Sequence, residues 1–204
     1  MIFYKTIPSK STYFILINFC LGIIFALSFE PFKVPFLSLF VIGIFFLINE
    51  IVSKQFFHIK SIFLYNGISF GFGFFLLSMY WISNSLVEFD SNLIYLLPLP
   101  LIFLPLLLSM FFGLMQIINS YYWNDSNSKL FFFPVCWTIF EFLRSFLFTG
   151  LPWNLISYSW SWSLKYSQIV SVLGVYGLGF LTVFCSVSIF SIFINYKNRV
   201  YFFL

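Results

Sequence analysis

The sequence predicts an all-α fold, a polytopic transmembrane helix bundle of about six spans with one interfacial segment. Three observations predict it. Hydrophobic residues make up 61% of the chain and charged residues only 8%, against roughly 25% charged in a soluble domain. The mean hydropathy is +1.01. Apolar runs approaching the ~20 residues that cross a bilayer alternate with short polar breaks. So little polar surface cannot face water all round, which excludes a soluble globular domain.

The first run covers residues 12–28, and Pro31 and Pro35 punctuate the turn after it. No small-residue cleavage site follows this run, so it reads as a retained span and not as a signal peptide. The second run covers 36–49 and ends in a polar break holding Lys54, His58 and Lys60. The third, 61–82, contains Gly67 and Gly71, small residues at the spacing that lets helices approach closely. A polar stretch at 83–92 carries Glu88 and Asp90. The fourth run, 93–118, opens on Pro98, Pro100 and Pro105, which kink it or delay its start. The fifth is 130–147. Residues 149–167 differ: Gly150, Pro152, Trp153, Trp160, Trp162 and several serines mark an interfacial segment, because Trp and Tyr favour the headgroup level. The sixth run is 168–194. The run 200–204 is too short to cross a bilayer, and a chain truncated at its C-terminus is the expectation.

The 34 phenylalanines fit the codon bias of an AT-rich genome, so an aromatic cluster here is weak evidence for a binding site. Cys20, Cys136 and Cys185 each sit in an apolar run, without the spacing of a metal site or a disulfide framework. They read as small buried apolar residues. His58 lies beside lysines in a polar break and reads as solvated. No metal, no cofactor and no nucleic-acid partner is expected. The net charge of +4 is what cytoplasmic basic loops produce. With the N-terminus cytoplasmic, Lys5, Lys10, Lys54, Lys60, Lys129, Lys197 and Arg199 fall inside, and Lys33, Arg144 and Lys165 fall toward the outer face.

Two charges fall where charges are expensive. Glu141 and Arg144 lie in the fifth run, three apart and so on one helix face. Two readings stay open: a contact with a headgroup or substrate, and a mutual pair that pins the helix to its neighbours. Tyr80 and Trp81 close the third run, where, taken by themselves, they read first as an ordinary aromatic belt.

The run Trp137-Thr138-Ile139-Phe140-Glu141-Phe142-Leu143-Arg144, continuing to Thr149-Gly150-Leu151-Pro152-Trp153, resembles the signature of bacterial apolipoprotein N-acyltransferases. Tyr158-Ser159, Gly174-Val175-Tyr176-Gly177, the turn Phe29-Glu30-Pro31-Phe32, and Gly71-Phe72-Gly73 with Tyr80-Trp81 add matches in order along the chain. Departures are Glu30 in place of a small residue, Tyr80 in place of Asn, and the residues 154–157 before Tyr158.

The resemblance implies the membrane domain of an enzyme that moves an acyl chain from a phospholipid donor to the amino group of a diacylglyceryl lipoprotein acceptor. In that family the catalytic Glu, Lys and Cys sit in a nitrilase-like domain after the membrane helices. None of this chain's residues matches those three, so no catalytic residue is carried over. The candidates for facing or shaping a lipid site are Trp81, Glu141, Arg144, Pro152, Trp153 and Tyr158. The expectation is one domain over residues 1–204, in the bacterial cytoplasmic (inner) membrane, inactive by itself and completed by a nitrilase-like domain or separate subunit. The alternative is a non-catalytic lipid-binding, scaffold or transport protein.

Overall fold

The computed structural model describes residues 9–56, 58–89, 91–123, 128–147 and 152–201. Lys5, Asp90, Thr149, Gly150, Leu151 and residues 202–204 figure in the sequence reading but lie outside the described residues. The described secondary structure is helical. In order it comprises α1 (Ser9–Ala26), α2 (Leu37–Phe56), α3 (Lys60–Ser78), α4 (Trp81–Phe89), α5 (Leu104–Tyr122), α6 (Ser128–Phe146), α7 (Leu164–Ser167) and α8 (Val170–Tyr201).

This is the expected all-α membrane bundle. Four helices are long and apolar enough to cross a membrane, over Leu37–Phe56, Lys60–Ser78, Ile94–Tyr122 and Val170–Ile192. The other two apolar runs are α1, a shorter apolar helix, and the 19-residue α6, which carries Lys129, Glu141 and Arg144. The prolines act as their chemistry requires. Residues Ser91–Leu96 form a 3₁₀ helix and Leu99–Phe103 a π turn before α5 begins. The polar stretch after α3 folds as the short helix α4.

Helix α3 is the centre of the bundle, with α1 on one side and α5 on the other. The contacts are backbone to backbone. A β-carbon at Gly22 would lie 2.0 Å from the carbonyl oxygen of Phe70, and one at Gly73 would lie 2.2 Å from that of Phe19. On the opposite side, a β-carbon at Gly67 would lie 2.4 Å from the Phe112 carbonyl oxygen. Gly67 and Gly71 therefore do what their spacing predicts, admitting α5 to close range. Aromatic rings fill the remaining interior. Phe45 stacks on Phe70 at 4.2 Å between centroids, and Phe112 meets Trp137 edge-on at 5.1 Å.

The alternation of helix directions sorts the charges. One end of the bundle holds the C-termini of α2 and α5 and the N-termini of α3 and α6, with Lys54, Lys60 and Lys129. The other end holds Lys33, Arg144 and Lys165 together with residues 152–169. That segment is partly interior. It carries a 3₁₀ helix at Ile156–Trp160, and Leu155, Ile156, Ser157 and Ser159 are buried. Ser159 donates to the Ser38 hydroxyl at 2.9 Å, and Trp160 donates through Nε1 to Thr182 at 2.8 Å. These bonds tie the segment to α2 and α8. Helix α8 breaks at Gly174, whose φ of 70° and ψ of 171° lie outside the helical range and are open to glycine without steric cost.

Candidate functional site

The site is built where α6 meets the segment after it. Glu141 and Arg144 project from one face of α6, as a spacing of three requires, and both are buried. The hydrogen bonds that hold them go to the backbone of the following segment. Ile156 N–H donates to Glu141 Oε1 at 2.8 Å. Arg144 Nη1 donates to the carbonyl oxygen of Trp153 at 2.6 Å. Elsewhere, ion pairs join Glu30 to Lys33, and Glu50 to Lys54 and Lys129. Both charges thus bond the backbone of the segment that follows α6.

Each partner is a group that needs satisfying. A buried backbone N–H or C=O away from water is costly without a hydrogen bond, and charged partners make the strong ones. The guanidinium also lies 5.2 Å from the centre of the Phe75 ring, which supplies a cation–π face from α3. Gly179 on α8 makes room for the arrangement. A β-carbon there would lie 3.1 Å from Ile156 Cγ2 and 3.5 Å from Glu141 Oε2. A cavity of about 10 Å³, walled partly by Trp137, Glu141, Arg144 and Phe112, is the size of one water molecule.

The remaining candidates gather around this anchor. Trp153, fixed through its carbonyl, places its indole 5.1 Å from that of Trp81. Both rings are about two-fifths exposed. Pro152 is exposed beside them. Tyr158 stands on the 3₁₀ helix two residues beyond Ile156. Burial, with Tyr176 and Glu141 nearby, pushes its phenol above the ordinary value, while Arg144 opposes the shift. It therefore stays a hydroxyl at neutral pH. Next to Trp81, an apolar groove of about 600 Å³ opens between α4 and the start of α5, lined by Ile82, Leu86, Leu96, Leu99 and Phe103.

The structure thus brings Trp81, Glu141, Arg144, Trp153 and Tyr158 into one region, with Pro152 at its rim. Sequence reasoning missed three parts of it. Ile156 and Phe75 enter only as partners of the charges, and no residue type marks them in advance. Tyr176, noted only as part of the family-like stretch, reaches the Ser145 hydroxyl of α6, a link between residues distant in sequence. A further missed group lies at the opposite end. Glu50 is buried and accepts from Lys129 Nζ at 2.6 Å and from Trp123 Nε1 at 2.9 Å. The sequence reading puts Glu50 just past the second apolar run, at the start of the polar break, whereas α2 runs on to Phe56 and buries it.

Fold and site together define a multi-helix membrane protein whose buried charges hold the backbone of an aromatic segment, with Trp153 of that segment against Trp81. Comparison with known proteins gives this class a family. The apolipoprotein N-acyltransferase N-terminal domain matches residues 21–188. The apolipoprotein N-acyltransferase of Rickettsia prowazekii is 34% identical over 174 residues, covering 85% of this chain and 34% of that protein. That of Rickettsia typhi is 34% identical over 179 residues, covering 87% of this chain and 34% of its own length. That of Rickettsia bellii is 38% identical over 127 residues, covering 62% and 25%. The chain belongs to the apolipoprotein N-acyltransferase N-terminal domain family. It spans about a third of the length of the first two relatives, and all six candidate residues lie inside the matched range.

Proposed function

We propose that this chain is the membrane half of an apolipoprotein N-acyltransferase. It presents two lipid substrates, a phospholipid acyl donor and a diacylglyceryl lipoprotein acceptor, to a nitrilase-like catalytic domain, and it is inactive alone. The observation that carries this reading is the use made of Glu141 and Arg144. Both buried charges hold the backbone that positions Trp153 against Trp81, beside an apolar groove of about 600 Å³. A groove of that lining suits an acyl chain, and paired indoles suit the headgroup level. The polar chemistry of acyl transfer needs a dry, preorganised site, which the nitrilase-like domain supplies.

The orientation proposed has the N-terminus in the cytoplasm of the bacterial inner membrane. The sorting of Lys54, Lys60 and Lys129 to one end of the bundle supports it. The site then faces outward, where the lipoprotein acceptor is displayed.

Complementation tests the proposal. In a bacterial strain depleted of its own enzyme, this chain alone leaves lipoproteins without the N-acyl group, as read by mass spectrometry of the N-terminal lipopeptide. The chain joined to, or expressed with, a relative's nitrilase-like domain restores it. Restoration by the chain alone overturns the claim of inactivity. Failure of the joined protein, at normal abundance in the membrane, overturns the assignment and favours a scaffold.

A further inference from the structure

Among the described residues, Lys33, Phe36 and Asn154 are the non-glycine residues with a positive φ, at 51°, 60° and 54°. That region crowds the β-carbon of an L-residue, and asparagine enters it more readily than most. Asn154 differs from the other two in its neighbours. The carbonyl just before it, that of Trp153, accepts from Arg144 Nη1 at 2.6 Å. The N–H two residues after it, that of Ile156, donates to Glu141 Oε1 at 2.8 Å. Both bonds go to one face of α6, from residues one turn apart.

A plainly extended chain could not make both bonds. In such a chain the backbone groups change sides with a period of two. The carbonyl of one residue and the N–H of the third residue after it then point opposite ways. A residue between Trp153 and Ile156 must therefore turn the chain so that both groups reach α6. Leu155 has φ −64° and ψ 145°, which is ordinary extended backbone. The turn falls on Asn154, in the left-handed region.

The same turn separates two fates. Before it, Trp153 is half exposed and holds its indole 5.1 Å from that of Trp81, with 44° between the planes. After it, Ile156 is fully buried in the room that Gly179 leaves. We propose that Asn154 is a positioning residue of the lipid site, whose left-handed backbone lets Arg144 and Glu141 grip both sides of one turn and so sets Trp153 against Trp81. The proposal rests on the lipid presentation argued above for its functional consequence, and on the backbone alone for its geometry. Asn154 acts through its φ and not through its amide. Glycine, which takes a positive φ without steric cost, therefore substitutes for it, and a β-branched residue does not.

Circular dichroism of the full chain in detergent tests the geometry without any acyl transfer. Two tilted indoles at this range give an exciton couplet, read as the difference between each chain and the same chain carrying Trp81→Phe. The couplet should persist in Asn154→Gly and be lost in Asn154→Val. Should the valine variant fail to accumulate, Asn154→Ala, less strained but still carrying a β-carbon, should weaken the couplet where Asn154→Gly does not. In the chain joined to a relative's nitrilase-like domain, N-acylation should stay near the parent rate in Asn154→Gly and fall about tenfold or more in Asn154→Val at equal abundance. A joined parent without activity would remove the acyl-transfer reading, and the couplet would still decide the role of Asn154. A couplet that survives in Asn154→Val or Asn154→Ala as in the parent overturns the proposal. So does its loss in Asn154→Gly, which would assign the work to the amide side chain.

Discussion

Arg144 donates from Nη1 to the carbonyl oxygen of Trp153 at 2.6 Å. A buried cation on a helix thereby fixes the backbone of an exposed indole nine residues on. Substituting Arg144→Lys should loosen this link, because an ammonium cannot keep both the reach to Trp153 and the flat face against Phe75. The expected loss is about 2 kcal/mol of stability, measured by thermal unfolding in detergent. Trp153 should also become more accessible to a soluble fluorescence quencher, a change that a purely global effect would not confine to one indole.

Glu141 holds one buried N–H, that of Ile156, and Gln can hold it as well. Glu141→Gln should therefore stay folded with a loss of about 1 kcal/mol, whereas Glu141→Leu leaves the N–H unpaired at a further cost of about 2 kcal/mol. Equal losses in the two variants, in the same unfolding assay, would show that charge and not the hydrogen bond holds the segment.

Gly22 has the Phe70 carbonyl oxygen where a side chain would begin. Gly22→Ala should push α1 from α3 and cost about 2 kcal/mol or more. The measurement is the yield of monodisperse protein from membranes. Accumulation at the wild-type level would sink the backbone-to-backbone packing.

Glu50 binds one nearly buried lysine and one exposed lysine. Glu50→Ala strands Lys129 in the bundle and should cost about 3 kcal/mol. Lys54→Ala removes an exposed partner at 3.5 Å and should change stability by less than about 1 kcal/mol. The ratio of the two losses, read by thermal unfolding, checks which lysine matters.

Trp81 and Trp153 bear on the proposed presentation of lipid. In a joined enzyme restored to activity, Trp81→Ala should lower N-acylation about tenfold while abundance stays unchanged, and Trp81→Phe should retain most of it. The assay is again the N-terminal lipopeptide by mass spectrometry. Full activity in Trp81→Ala would remove the indole pair from the site.

What was legible in the sequence was local. The apolar runs, the Gly67 and Gly71 spacing, the shared face of Glu141 and Arg144, and the delayed start of α5 all follow from periodicity and from proline and glycine chemistry. Distant partners were not legible. Nothing in the spacing says that Glu141 meets Ile156, that Trp81 meets Trp153, or that Glu50 meets Trp123 and Lys129. A face can be read from a helical repeat, but what it meets depends on how the helices pack. Residues 149–167 read as interfacial from their tryptophans, yet Leu155 and Ile156 plug into the bundle. The burial of Ile156 answers to the room left by Gly179 on another helix, which the segment's own residues do not record.

The sandwich of α3 between α1 and α5 has a mechanical consequence. With carbonyls standing where side chains would begin at Gly22, Gly67 and Gly73, those three helices have no slack to slide past one another. The groove beside Trp81 is walled by the nine-residue α4 and by residues 96–103, and it meets this slab only at Leu104, the first residue of α5. Any change of bore, for a thin single chain or a bulkier forked one, falls on α4 and residues 91–103 and leaves the slab behind them in place.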